Sequence, residues 1–388
     1  VNKQEGKGME KKKILLFSDW YEPGYKAGGP IRSCVNFVQH MKEDYRIYVF
    51  TSDRDLGAEG PYPDIATDKW TEAEGSVQIF YCSPGLLSMK QIREQIILLD
   101  PDFLYLNSMF SRHFTISPLL VNRWLGGHAG IVLSPRGMLR TSAIRFKSLK
   151  KKFFLNVFRW MGFQRTVRFH AADATEQKDI QHWFGKGTKV FVMPNLPGAL
   201  PPVPGPIEKQ PGALSMLFVG RIHPIKNLDY LLELLRPIPS LITLTIVGSL
   251  EDKAYWEKCR EIIGSLPANI TVKYLGEMAS HKIAAVIGEH HIFALPTKGE
   301  NFGHAIFEAL SLKKPVLISD QTPWRRLQQA RAGWDLPLAE PAAFAQAILQ
   351  AASWDQGEYD EWSGNAHDLG LGHRDNSNAM EKYRQLFS

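Results

Sequence analysis

Two carboxylates, Glu300 and Glu308, bracket a glycine in the stretch Pro296-Thr-Lys-Gly-Glu-Asn-Phe-Gly-His-Ala-Ile-Phe-Glu-Ala-Leu310. Two cations, Arg221 and Lys226, lie close together in Val219-Gly-Arg-Ile-His-Pro-Ile-Lys-Asn-Leu228. Cations beside a helix start suit a diphosphate, because the first N–H groups of a helix lack internal partners and the helix dipole favours an anion there. On one continuous helix the two glutamates would be about 12 Å apart along the axis, too far to share one small group. With Glu300 in a loop and Glu308 inside the helix, they can meet opposite ends of a phosphate-bridged ligand. A cation roughly 4 Å from a phosphate oxygen contributes around 4 kcal/mol at an effective dielectric near 20. Taken singly, these are a capping acid, a surface acid and two solvated cations; together they point to a site.

Placing them requires strands that end beside one another. His291-Ile-Phe-Ala-Leu295 is a short apolar run, and Ala305, Ile306, Ala309 and Leu310 recur at helical spacing, which predicts strand, loop and a helix starting near Phe302 or Gly303. Further strands are expected at 215–219, 244–247, 271–274 and 316–318, ending near Gly220, Gly248, Gly276 and Ser319. In an open α/β sheet, ligands sit beyond the carboxyl ends of such strands.

The first half has the same rhythm. Lys13-Ile-Leu-Leu-Phe17 is a central-strand run, followed by Gly24, Gly28, Gly29 and Pro30, a loop whose backbone can approach a ligand. It is not the dinucleotide fingerprint, which disfavours a dehydrogenase. Strands at 45–50, 77–81, 103–106, 131–133, 167–171 and 190–193 alternate with helices such as 89–99 and 175–184. Asp53-Arg-Asp55 reads as an ordinary solvated turn rather than a metal pair. The stretch 197–212 is rich in proline and glycine and reads as a linker between domains 9–196 and 213–370, with a final helical segment in 371–388. Thr322-Pro-Trp324 is expected to cover the edge of the site.

Length favours two domains in this chain of 388 residues, and 44% hydrophobic with 22% charged residues is the composition of a folded soluble protein. No apolar run approaches a membrane span, and Val1–Gly8, ahead of Met9, are expected to lie outside the fold. Cys34, Cys82 and Cys259 form neither a disulfide framework nor a zinc site and suit a cytoplasmic setting. Between Asp102 and Asp173 there is no acidic residue, while cations from Arg140 to Arg168 interleave with Phe146, Leu149, Phe153, Phe154, Val157, Phe158 and Trp160. A basic helix with an aromatic face suits an anionic membrane surface, peripheral on the inner face of the plasma membrane, with core packing of that face as the plain alternative. Nucleic acid is not expected.

In the Gly28-Gly29 loop, Gly220-Arg221 to Lys226-Asn227, Val247-Gly248, Glu300 to Glu308 around Phe302-Gly303, Pro315-Val316 and Ser319-Asp320, the chain resembles the retaining GT-B glycosyltransferases of family 4 over nearly its whole length. The resemblance implies two Rossmann-like domains facing a cleft, with a C-terminal helix packing back on the first. It implies a metal-independent hexosyl transfer from a nucleotide-diphospho-sugar, UDP-sugar favoured, to a saccharide or lipid-linked saccharide in cell-surface polysaccharide synthesis, with no cofactor. Arg221 and Lys226 would hold the diphosphate, Glu300 the sugar and Glu308 the ribose. Asn301, Phe302, Gly303 and His304 would present backbone N–H groups, and the backbone around Gly248, Ser249, Tyr274 and Leu275 would meet the base. Many members carry a histidine near the reacting carbon; Ser134-Pro-Arg-Gly-Met138 has Arg136 there instead, so no histidine is assigned to catalysis and Arg136 is expected at acceptor or phosphate. The rival enzyme is a nucleotide-sugar epimerase of the same fold. From another class, the rival is a non-catalytic membrane- or polymer-binding protein.

Overall fold

The computed structural model describes residues 11–140, 144, 148–200, 202–374 and 377–388; Val1–Gly8, Arg145, Phe146 and Lys147 lie outside these. The chain divides into two compact units, Val1–Leu196 with Asn378–Ser388, and Pro197–Ser377.

In the first unit the strands are β1 (Lys13–Phe17), β2 (Arg46–Ser52), β3 (Trp70–Glu72), β4 (Val77–Cys82), β5 (Phe103–Leu106), β6 (Gly130–Leu133), β7 (Val167–Ala171) and β8 (Val190–Val192). They form one sheet in the order β3-β4-β2-β1-β5-β6-β7-β8, parallel apart from β3, which runs antiparallel to β4. The sequence reading lacks β3, because three half-exposed residues at a sheet edge carry no apolar period. Both faces of the sheet are covered, which is why its central strands read as unbroken apolar runs. Leu15 and Phe17 pack to one face with Phe50, Leu104 and Leu133. Ile14 and Leu16 pack to the other with Ile47, Val49 and Tyr105.

Helix α1 (Gly29–Met41) follows β1, α2 (Met89–Leu99) follows β4, and a π-helical turn leads into α3 (Ser117–Trp124). Beyond β6 lie α4 (Ser148–Trp160), α5 (Phe163–Thr166) and α6 (Ala174–Phe184). The aromatic residues of α4, expected on one face, separate onto two. Leu155 and Phe158 are buried, with the Phe158 ring against Phe163, Phe169 and Phe184, whereas Leu149, Phe153 and Trp160 point outward.

The second unit holds β9 (Ala213–Val219), β10 (Leu241–Val247), β11 (Ile270–Tyr274), β12 (Ile292–Leu295), β13 (Val316–Ser319) and β14 (Gly333–Leu336). Their order is β11-β10-β9-β12-β13-β14, all parallel. Around them lie α7 (Leu228–Leu235), α8 (Lys253–Gly264), α9 (Ser280–Gly288), α10 (His304–Ser311), α11 (Pro341–Ser353) and α12 (Gln356–Arg374). The proline-rich stretch 197–212 is part of this unit rather than a free linker. Lys209 is buried there, its ammonium donating to the carbonyls of Gln210, Ala352 and Trp354.

The last helix, α13 (Ser377–Leu386), returns to the first unit. Tyr383 donates to the Pro194 carbonyl at 3.2 Å. Phe387 sits among Phe37, Tyr45, Phe103 and Tyr105, with ring centroids 5.4–5.8 Å away.

Candidate functional site

Strand order reverses between β9 and β12, so the loops that follow these two strands emerge beside each other, as at the ligand-binding switch point of doubly wound sheets. The first loop closes a tight turn, with the Lys226 N–H donating to the His223 carbonyl at 2.9 Å. The second is stitched to it: Lys298 N–H and the Thr297 hydroxyl both donate to the Ile225 carbonyl, at 2.7 and 3.0 Å. Glu300 N–H donates to Gln321 O at 3.0 Å, tying the same loop to the segment after β13.

These backbone bonds bring the separated charges together. Lys226 Nζ pairs with Glu300 Oε1, and both side chains are largely shielded from solvent. An ammonium has three donors, so Lys226 can hold Glu300 and a ligand oxygen at once. Arg221 pairs instead with Glu251, in the loop after β10. Glu251 was not legible as a site residue: it lies thirty residues away in sequence, and only the pairing of β9 with β10 brings it near.

Gly303 sets the helix start. It has φ +78°, in the left-handed region, and an added Cβ would stand 2.8 Å from Ile306 Cδ1. The first bond of α10 is Phe307 N–H to Gly303 O at 3.0 Å, so the amides from His304 to Ile306 face the N-terminal end, where an anion is favoured. Asn301 and His304 are half-buried, Phe302 is buried, and Glu308 stands half-buried one turn into the helix. Trp324, expected to cover the edge, instead lies in the core beneath this loop. Its indole N–H donates to the Phe302 carbonyl at 2.7 Å, and its ring is 6.1 Å from that of Phe302, so it positions the loop from below.

Gly248 and Ser249 follow β10, and Tyr274 and Leu275 close β11. Tyr274 donates its hydroxyl to the Gly248 carbonyl at 2.8 Å and packs on Trp256 at 4.7 Å, while Leu275 is exposed. The Ser249 carbonyl accepts from Ile222 N–H at 2.8 Å, so part of this edge holds the Arg221 loop in place.

In the first unit, Gly28 has φ +67° and caps α1, and Gly29 is its first residue. Asp55 anchors that loop by accepting from the N–H groups of Tyr25 and Lys26 at 2.8 and 3.2 Å. The Asp53-Arg54-Asp55 turn is therefore not solvated: both aspartates are buried, and Asp53 pairs with Arg54 at 2.8 Å.

Arg136, with φ +54°, is engaged inside the unit. Its guanidinium donates to Asn195, to Tyr105 at 3.1 Å and to Asn107 at 2.6 Å, leaving Nε buried without a protein partner. The carboxylate of Glu176 accepts from Gly137 N–H at 2.6 Å and Ala172 N–H at 2.7 Å and so fixes the loop carrying Arg136.

His170 lies beside this cluster. One ring nitrogen meets the Tyr105 hydroxyl at 2.9 Å and the other the Met193 carbonyl at 3.1 Å; because a carbonyl only accepts, the neutral ring carries its proton on Nε2 and can accept from Tyr105 at Nδ1. Burial and then Arg136 lower its pKa from 6.5 to about 3. The unfolded chain binds the extra proton below pH 6.5, so this contribution is complete above that pH and is lost as pH falls toward 3. Between pH 7 and pH 5 we expect the first unit to lose about 2 kcal/mol through this ring. Thermal melting at both pH values checks it: in His170→Gln the pH-dependent drop should shrink by roughly 4–8 °C.

Among the described residues no His, Cys, Asp or Glu cluster suits a metal ion, and the three cysteines are free and buried. No helix among them is long and apolar enough to cross a membrane.

Residues 213–353 match the family described as glycosyl transferases group 1. Over 141 residues the chain is 30% identical to a phosphatidyl-myo-inositol mannosyltransferase of Mycobacterium leprae, a match spanning 35% of this chain and 36% of that protein. The chain thus matches only about a third of this curated relative's length. Among solved structures, sucrose-phosphate synthase from Thermosynechococcus elongatus superposes with a TM-score of 0.69 at 16% identity, covering 97% of this chain and 99% of that one. Anabaena HepE in complex with UDP-glucose superposes with a TM-score of 0.68 at 15% identity, covering 96% and 98%. Residues 213–353 thus carry a glycosyl transferases group 1 domain, and the chain has the GT-B fold along nearly its whole length.

Proposed function

We propose that the protein is a retaining glycosyltransferase that moves a hexose from a UDP-sugar to a hydroxyl of a saccharide or lipid-linked saccharide, in cell-surface polysaccharide synthesis. The observation that carries this reading is the convergence of Lys226, Glu300 and the N-terminal end of α10 at the β9/β12 switch point. Lys226, Arg221 and the first amides of α10 take the diphosphate and stabilise the charge that grows on it as it leaves, without a metal. Glu300 holds hydroxyls of the transferred sugar and Glu308 those of the ribose. Backbone at Gly248, Ser249, Tyr274 and Leu275 meets the base. The strand ends of the first unit around Gly28, Gly29 and Arg136 take the acceptor.

The acceptor oxygen attacks the anomeric carbon on the face from which the diphosphate departs. The carbon–oxygen bond to UDP breaks, and the acceptor proton passes to the leaving phosphate oxygen, so no side-chain base is required. The choice of UDP follows the UDP-glucose complex of the Anabaena structural neighbour.

The test is a thermal-shift panel of UDP, GDP and ADP, followed by turnover of UDP-hexose with and without a saccharide acceptor and assignment of the product anomer. UDP should shift the melt most, and turnover should need the acceptor and retain the anomeric configuration. Glu300→Gln should keep the UDP shift and lower kcat at least a hundredfold, since it loses contacts to the sugar but not to the nucleotide. Epimer formed from donor alone would assign the site to an epimerase. No shift with any nucleotide would leave the non-catalytic reading.

A further inference from the structure

We propose that the outward face of α4 docks the protein on an anionic lipid bilayer. Leu149, Phe153 and Trp160 are 84%, 72% and 86% exposed. At 100° per residue they fall within about 40° of one another around the helix. This stripe lies opposite the face on which Leu155 and Phe158 are buried. A helix that has already satisfied its inward face has no folding reason to carry a second apolar one.

The charges are arranged around the stripe. On the same helical wheel the exposed Lys152 and Arg159 stand about 80–100° to one side of its centre and the exposed Lys150 about 80° to the other. No acidic residue occurs in sequence between Asp102 and Asp173. The patch continues onto α3: Trp124 is 67% exposed, and its neighbour Arg123 donates to the Met161 carbonyl at 2.6 Å, tying that helix end to the turn after Trp160.

An apolar floor with cationic rims fits a bilayer interface, where aromatic rings enter the headgroup boundary and long cationic side chains reach lipid phosphates. A nucleic-acid track needs cations along its floor, where this face is apolar. A second copy docked on the same face would bring like charges together.

The full chain is to be cosedimented with vesicles of phosphatidylcholine alone and with about 30% phosphatidylglycerol, near physiological salt. We expect binding at least tenfold tighter to the anionic vesicles, since each cation near the surface contributes roughly a factor of five. Lys150→Glu/Lys152→Glu/Arg159→Glu should weaken it by about a hundredfold or more, and Phe153→Ser/Trp160→Ser by at least about tenfold. All three positions of charge and both aromatic positions are exposed, so the variants should melt with the parent, and their soluble-acceptor turnover should be unchanged. Equal affinity for the two vesicle types, no binding by the parent, or unaltered binding by Phe153→Ser/Trp160→Ser overturns the proposal. So does a dimer in sedimentation velocity that the aromatic variant abolishes, or single-stranded RNA binding tighter than the anionic vesicles and lost in the charge variant.

Discussion

Lys226→Ala should lower kcat/KM for the UDP-sugar at least a thousandfold while leaving the second unit folded. Lys226 pairs with Glu300, and its side chain is well shielded, so its charge acts at a lower effective dielectric than a surface cation's. At about 4 Å from a phosphate oxygen such a charge is worth roughly 4 kcal/mol, close to three powers of ten in rate. Removing it also takes the neighbouring positive charge from the Glu300 carboxylate, which adds to the loss. Because charge on the diphosphate grows as the bond to the sugar breaks, kcat should fall and the UDP-induced thermal shift should fall with it. Lys226→Arg is the conservative control. It restores charge but not the compact ammonium that fits beside Glu300, and should recover only part of the rate. Wild-type turnover in Lys226→Ala would remove the donor assignment altogether.

Arg221 is in a different position. Its guanidinium is the more exposed of the two cations and gives Glu251 one of its five N–H donors, whereas the Lys226 ammonium is shielded and can hold Glu300 and a phosphate together. On the proposed reading Lys226 is therefore the stronger anchor of the diphosphate, and Arg221 a second, more solvent-screened charge. That ordering explains why the larger effect is expected at Lys226, although both cations stand in the same loop.

The features legible in the sequence were those written in local pattern. Strands buried on both faces show as apolar runs, as at Lys13–Phe17 and Ile292–Leu295, and their ends gave the positions of Glu300, Arg221 and Lys226. Trp324, Asp55 and Glu251 were missed as positioning residues because their partners are set by tertiary register. Trp324 reaches back to Phe302 across twenty-two residues, and Asp55 to Tyr25 across thirty. Arg136 shows the same limit from the other side. Its residue type points to a ligand contact, while Tyr105 and Asn107 at the end of β5 and Asn195 after β8 occupy most of its donors. A charged side chain at a strand end thus carries two readings until its surroundings are known.

Gly248→Ala should strongly destabilise the second unit. Gly248 has φ +154°, and a Cβ there would stand 1.8 Å from the Gly220 carbonyl oxygen and 2.6 Å from its carbon. Both atoms are backbone, so no side-chain rotation relieves the clash. The two residues end adjacent strands, with Gly220 N–H donating to Val247 O and Gly248 N–H to Gly276 O, each at 2.9 Å. To make room, the chain must break one of these bonds or shift the start of the Arg221 loop. Overpacking against backbone together with an unfavourable φ is expected to cost about 4 kcal/mol or more. That corresponds to a fall of roughly 8–16 °C in the melting of this unit. The displacement passes directly to Arg221 and to the Ile222–Ser249 bond, so UDP should also bind at least tenfold more weakly, measured by its thermal shift. Gly264→Ala supplies the comparison: that glycine ends α8, is exposed, and an added methyl meets nothing within 4 Å, so its melt should stay within about 1 kcal/mol of the parent. If Gly248→Ala melts with the parent and binds UDP as tightly, the close approach of the two strand ends does not hold the Arg221 loop in its working position.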